Sequence, residues 1–262
     1  MPRILVVGGT GLAGRAITAE AVARGHDVVV ASRRVPDDDS PAFVPGADYR
    51  TVDIVIGDGL EEALEGVDVL VDASNGVGRA SSHVFASGSQ NLLHTAARFG
   101  VHRAVLLSIV NVDLSAYPYY RAKALQERSY QESPLETRIV RTTQFHDFVG
   151  GLLRRGSRLG FVPAPTGISF QPIAVSDVAD ALVDAAEGSG TADSTRTIGG
   201  PEVLTARELA EQWKSATGAR RPIIGIRMPG PLGAAWRAGE NLVPEGAIDG
   251  LGFADWLTLP AV

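Results

Sequence analysis

The sequence predicts an α/β chain built on a doubly wound parallel sheet, and three observations predict it. Residues 3–34 read as strand, glycine turn, helix and strand. Short apolar, β-branched runs then keep alternating with helical periodicity as far as residue 141. Beyond that point glycine and proline are spread through short segments, as in an appended lobe. Strands alternating with helices imply βαβ units, right-handed crossovers and a ligand crevice at the carboxyl ends of the strands.

Taken in order, residues 4–7 (Ile-Leu-Val-Val) are a strand too short and too apolar for a helix. Gly8, Gly9, Gly11 and Gly14 follow at once. Gly9 and Gly11 are expected to take backbone angles closed to other residues. Gly14, one turn into the next helix, is expected to let helix and strand pack closely. Leu12, Ala16, Ala19 and Ala23 mark the apolar face of a helix over 12–24, which Gly25 ends. Residues 28–31 form the second strand and 35–41 a polar loop. A third strand is expected over 49–56, ending near Asp53, then a turn with a short helix over 57–66. The fourth strand covers 67–72 and runs into Ala73, Ser74, Asn75 and Gly76. A long helix over 82–99 buries Val84, Phe85, Leu92, Leu93, Ala96 and Ala97. A fifth strand (103–108), a helix (119–131) and a sixth strand (136–141) complete the alternation.

The second half is less regular. Residues 150–170 read as loop-rich with one helix. Ser176 is expected to cap a helix reaching 186. Thr205 and Glu208 form a capping box for a helix through Leu209 and Trp213 that stops at Gly218. Residues 222–243 are rich in glycine and proline. The expected organisation is one Rossmann-type domain, 1–262, with a small C-terminal substrate lobe from about 144–172 and 200–262. Trp213, Trp236 and Trp256 are expected in the lobe's core.

Composition narrows the function classes. The 262 residues are 45% apolar and 21% charged, with a net charge of −6. No Lys/Arg cluster exceeds a pair, which argues against nucleic acid as a partner. Cysteine is absent, excluding disulfides, thiol catalysis and thiolate metal sites. No apolar run approaches the ~20 residues of a membrane span, and no signal-peptide pattern opens the chain. A cytoplasmic protein is expected. His26, His83, His94, His102 and His146 show no metal-ligand spacing, so no metal is expected. Asp37, Asp38 and Asp39 read as a solvated loop, and Asp177 as a partner for a helix dipole.

The glycine turn places a helix N-terminus, with its free N–H groups and about half a positive charge, over a phosphate site. The strand before, helix after and strand beyond are the context a dinucleotide fingerprint requires. NAD sites carry an acid near the end of the second strand. Here Ser32, Arg33 and Arg34 stand there instead. Two guanidiniums suit a 2′-phosphate, so NADP(H) is favoured over NAD(H). Tyr119 and Lys123, four apart, share one helix face. A cation near a phenol lowers its pKa, and the phenol can then exchange a proton with a substrate oxygen.

The motif Gly8-Gly-Thr-Gly-x-x-Gly14, the pair Asp53-Ile54 and Tyr119-x-x-x-Lys123 resemble the short-chain dehydrogenase/reductase superfamily. Residues 108–113, 118–123, 141–146, 171–179 and 200–205 resemble its atypical, NmrA-like branch. The resemblance covers nearly the whole chain. It implies that Gly8, Thr10, Gly11, Leu12 and Gly14 line a pyrophosphate and that Asp53 and Ile54 flank an adenine. It implies that Ala73, Ser74 and Asn75 pass beneath the nicotinamide-side ribose, which Lys123 holds. Gln144, Phe145 and His146 would lie near nicotinamide and substrate, with Tyr119 the proton donor. Two departures accompany it. Ile109 falls where the catalytic serine is usual, with Ser108 one residue early. Phe85 replaces the helix asparagine, while Asn91 lies lower in the same helix.

The branch contains reductases of quinones and related compounds and also non-catalytic regulators. The expected function is an NADP(H)-dependent oxidoreductase acting on a small carbonyl, quinone or alcohol. The alternative is a redox sensor that binds NADP(H) and acts through a protein partner. A sugar-nucleotide epimerase or dehydratase would use the same fold, but the small lobe and displaced serine argue against it. The sequence leaves the oligomeric state open.

Overall fold

Val7 lies between two strands, beside Ala31 on one side and Asp72 on the other. That position organises the chain, whose computed structural model describes residues 1–76, 80–189 and 194–259. Two compact units are present: 1–108, 118–141 and 178–196, and 109–117, 142–177 and 197–262.

In the first unit, β1 (Arg3–Val7) enters the glycine turn and α1 (Leu12–Ala23) returns to β2 (Asp27–Ser32). β3 (Ala47–Thr51), α2 (Leu60–Leu64) and β4 (Val69–Asp72) follow. Next come α3 (Ala80–His83), a π-helical turn at Val84–Gly88, and α4 (Ser89–Arg98). β5 (Arg103–Ile109), α5 (Pro118–Gln131) and β6 (Glu136–Thr142) complete the alternation. α7 (Val175–Glu187) and β9 (Thr195–Ile198) return to the sheet after the insertion described below.

The seven-stranded sheet has the order β3-β2-β1-β4-β5-β6-β9. The registers of β2 with β3, β1 with β2, β1 with β4 and β4 with β5 are parallel. The order reverses between β1 and β4, which is the topological switch point where such sheets open a crevice. Ile4, Leu5 and Val6 are completely enclosed, as expected of a strand covered on both faces. One core cluster joins Leu5, Val29, Leu70, Leu92, Leu106, Tyr130 and Ile139.

Three elements differ from expectation. The third strand ends at Thr51 rather than running to residue 56. The Asp53 carboxylate accepts the Val55 N–H at 2.9 Å and Asp53 bridges Asp58, so the chain turns instead of extending. The helix expected over 82–99 is interrupted by the π turn. Ser176 is no cap, because α7 already begins at Val175 and the Ser176 hydroxyl faces Asp177 Oδ1.

In the second unit, α6 (His146–Arg158) precedes β7 (Val162–Pro165) and β8 (Ser169–Phe170). β10 (Leu204–Thr205) and α8 (Ala206–Thr217) follow, then β11 (Ile223–Ile226), α9 (Gly230–Arg237) and α10 (Phe253–Trp256). The capping box of α8 is present in both directions, and Gly218 closes the helix with a left-handed φ of 64°. α6 occupies much of the segment expected to be loop-rich. Two of its three glycines are there for contact: a Cβ on Gly150 would meet the Trp256 ring, and one on Gly156 would overlap Pro163, whereas Gly151 faces open space. Residues 222–243 likewise hold a strand parallel to β7 and a helix. Trp213 and Trp236 are buried in this unit's own core and Trp256 packs against it.

Candidate functional site

The glycine turn closes against the end of β4. Gly8 has φ +75°, a left-handed conformation, and a Cβ there would press on the Ala73 carbonyl and Ser74. Gly9 and Gly11 do not need glycine's backbone freedom, contrary to expectation. Gly9 is required by contact with Val30, 2.6 Å from where a Cβ would sit, and Gly11 is the extended N-cap of α1. A Cβ on Gly14 would overlap the Gly8 carbonyl and Gly9 Cα, so the helix lies directly on the loop. No side chain caps α1, which leaves its first N–H groups to a ligand. Leu12 stands exposed at the start of the helix.

Ser32 is buried at the end of β2 and its hydroxyl donates to the Arg34 carbonyl at 2.7 Å. That bond turns the chain, and Arg33 and Arg34 project exposed beyond it. Farther along the sheet, Ile54 packs into the core against Gly88, and Asn91 Nδ2 donates to the carbonyls of Ile54 and Val55. Asn91, singled out for its place in the helix, therefore holds the Asp53–Val55 turn.

Past β4, Ala73 N–H donates to the Val7 carbonyl and Ser74 N–H to Asp72 Oδ1. Exposed Asn75 then accepts the Tyr119 hydroxyl on Oδ1 at 3.0 Å. The Tyr119 ring meets Phe85 edge to face, with centroids 5.5 Å apart. Phe85 is completely buried in the π turn, and Lys123 Nζ lies over its ring, 4.7 Å from the centroid. A run of direct contacts therefore leads from Gly8 through Ala73–Asn75 and Tyr119 to Phe85 and Lys123.

Lys123 is 4% exposed. Burial pushes its ammonium down to about 8, against the opposing pull of Asp72 and Glu127. Among the described residues it makes no hydrogen bond or direct ion pair. A buried cation without donors satisfied suits a ligand hydroxyl. Ser108 is enclosed within β5 at 2% exposure.

Sequence reading missed Asp72. Its carboxylate is fully buried and receives Ser74 N–H, Gln126 Nε2 at 2.9 Å and the Tyr130 hydroxyl at 2.8 Å. Burial first, and then the charge of Asp72, pushes the Tyr130 phenol up. The available signal was an acid at the end of an apolar strand, where a solvated residue is not expected.

Gln144, Phe145 and His146 belong to the second unit. Phe145 is the extended N-cap of α6 and bridges Ile173. Gln144 Nε2 donates to the Asn241 backbone carbonyl, and Gln144 Oε1 accepts from Asn241 Nδ2. His146, expected near substrate, is completely enclosed. Its Nε2 meets the Leu251 carbonyl at 2.8 Å and its ring packs on Phe253 and Trp256. It is a core residue, and burial holds its pKa below the ordinary 6.5. Among the described residues no group of three metal-ligating side chains occurs and no helix is long and apolar enough to cross a membrane.

Residues 8–188 match the family described as NAD(P)H-binding. The chain is 28% identical over 232 residues to divinyl chlorophyllide a 8-vinyl-reductase of Arabidopsis thaliana, covering 79% of this chain and 56% of that protein. It therefore spans about half of that relative's length. It is 28% identical over 241 residues to the photosystem II assembly factor Ycf39 of Synechocystis, covering 86% of this chain and 71% of that one. The UDP-glucose 4-epimerase of Thermotoga maritima superposes with a TM-score of 0.72 at 19% identity, covering 87% of each chain. That last likeness is one of fold alone. With its glycine turn at the switch point and a family match over most of its length, this chain belongs to the NAD(P)H-binding family.

Proposed function

We propose that the protein is an NADP(H)-dependent oxidoreductase acting on a small carbonyl, quinone or alcohol. The observation that carries the reading is the run of contacts from the glycine turn to Tyr119 and Lys123 at the end of β4. Gly8, Thr10, Gly11, Leu12 and Gly14 would line the pyrophosphate, and Asp53 with Ile54 the adenine. Ser32 would present Arg33 and Arg34 to a 2′-phosphate. Ala73, Ser74 and Asn75 would lie under the second ribose, with the open ammonium of Lys123 donating to its hydroxyls. The bound nicotinamide would supply or accept hydride. Tyr119, whose hydroxyl here donates to Asn75 Oδ1, would pass its proton to the substrate oxygen, and the Lys123 charge would lower the cost of the phenolate left behind. Ser108, enclosed in its strand, has a lesser part in this reading. In the second unit, His146 would act only by holding α10. The protein would work in the cytoplasm on a small-molecule substrate.

Calorimetry with NADP⁺ and NAD⁺, followed by NADPH oxidation against a panel of quinones and aldehydes, tests the proposal. NADP⁺ is expected to bind more tightly, with the preference lost in Arg33→Ala. Equal affinities unaffected by that substitution, or no turnover with any acceptor, would overturn it.

One observation favours a second reading, a non-catalytic sensor of NADP(H). Where the superfamily carries a helix asparagine, a buried phenylalanine covers Lys123. The relatives divide in the same way, one named a reductase and one an assembly factor. A sensor must bind the two redox forms with different affinity, because equal binding shifts no equilibrium.

A further inference from the structure

Among the described residues, two opposite charges are buried in the first unit without a direct ionic partner. Among those residues the Asp72 carboxylate is held by neutral donors: a backbone N–H, an amide and a phenol. The Lys123 ammonium touches only the Phe85 ring among the described residues. The other acid that faces Lys123 is Glu127 on its own helix, and it is already matched. Arg141 from β6 grips both Glu127 oxygens, at 3.0 and 2.6 Å. Among the described residues the other side chains that touch the two charges are uncharged: Phe85 from the π turn at Lys123, and Gln126 and Tyr130 from α5 at Asp72. A buried charge with no counter-charge is strongly disfavoured, and here each lacks what the other supplies.

The geometry points to Asp72 as the positioning residue for Lys123: its carboxylate, fixed in place by three neutral donors, is the charge that keeps the lysine an ammonium and holds it at the end of β4. Asp72 touches no ligand in this arrangement. It sits beside Val7 at the switch point, where the glycine turn and the Tyr119 helix both approach β4. The Phe85 face excludes water on one side, so the field of Asp72 acts with little screening. The pull of Asp72 on the Lys123 proton has the required sign.

The consequence for dinucleotide binding rests on the proposed role of Lys123 as ribose anchor, whereas the charge coupling does not. The test is therefore made first without dinucleotide. The chain contains only two lysines, Lys123 and Lys214, so lysine labelled with ¹³C at Cε gives two signals, which Lys214→Arg assigns. In the native protein the Lys123 signal is expected to titrate near 8, and the ¹³Cγ signal of Asp72 is expected to step at the same midpoint. In Asp72→Asn the Lys123 midpoint is expected to fall by about one pH unit or more. An Asp72 signal that stays flat through the Lys123 transition, or an unmoved Lys123 midpoint in the variant, would overturn the inference. The native measurement decides if the variant does not fold. A second arm measures NADP⁺ affinity against pH. If the spectra couple but affinity ignores the Lys123 transition, the ribose-anchor reading fails and the positioning role of Asp72 stands.

Discussion

The Tyr119 hydroxyl donates to Asn75 Oδ1 at 3.0 Å. The bond aims the phenol of the Tyr119–Lys123 pair at the segment following β4. Removing that hydroxyl leaves the Phe85 ring contact available, so the fold should tolerate Tyr119→Phe. Turnover of NADPH with an accepted quinone or aldehyde is expected to fall by about 10²–10⁴-fold, with NADP⁺ affinity little changed. Retention of full kcat would remove Tyr119 as proton donor.

Lys123 gives a stability signature of its own. Burial places its pKa near 8, below the ordinary 10.5. Between those values the unfolded chain binds more protons than the folded one, so stability rises as pH climbs through the window. At one pH unit per about 1.4 kcal/mol, the full rise is on the order of 3 kcal/mol. Urea unfolding at several pH values should show this rise in the native protein relative to Lys123→Met, which has no such group. Parallel stability curves would contradict the buried ammonium.

Gly14 is tested by one added methyl group. In Gly14→Ala the Cβ overlaps the Gly8 carbonyl and Gly9 Cα, and backbone must move on one side or the other. A loss of about 1–3 kcal/mol is expected, as for overpacking elsewhere, together with weakened dinucleotide binding. Thermal unfolding and calorimetry read the two effects. Unchanged affinity would show that the turn is not the phosphate cradle.

His146 should make the second unit acid-sensitive. Its folded pKa lies below 6.5 because burial disfavours the imidazolium. Below that pH the unfolded chain takes up the proton first, so stability is complete above 6.5 and declines as pH falls toward the folded value. His146→Gln keeps a donor for the Leu251 carbonyl and should flatten the decline, as followed by tryptophan fluorescence during acid titration. A decline of the same steepness in the variant would place the sensitivity elsewhere.

The βαβ unit was legible because every one of its signals is local. Residues 4–7 have no polar side chain to expose, Gly14 falls in the first turn of the helix that follows, and Ser32-Arg33-Arg34 lies where the second strand must end. The Thr205–Glu208 box was legible for the same reason. Gly150 and Gly156 misled, because composition reads glycine as loop whereas here it admits the Trp256 ring and Pro163, partners far along the chain. His146 looked available from its place after β6. Only the arrival of Leu251, Phe253 and Trp256 shows that it is enclosed. Asp72 went unnoticed because its donors, Gln126 and Tyr130, lie more than fifty residues away.

The π turn at Val84–Gly88 admits one residue more than an α-helix of the same rise would hold. Each residue of an α-helix turns the axis by about 100°, so α3 and α4 are out of phase by that amount. A single apolar stripe drawn through residues 82–99 cannot describe both halves. Deleting one residue from the turn would restore an unbroken helix and swing Phe85 away from Lys123 without altering any side chain in the pair. In this helix the cover over the lysine is a matter of residue count as much as residue type, so an insertion or deletion there should alter the site more than most substitutions would.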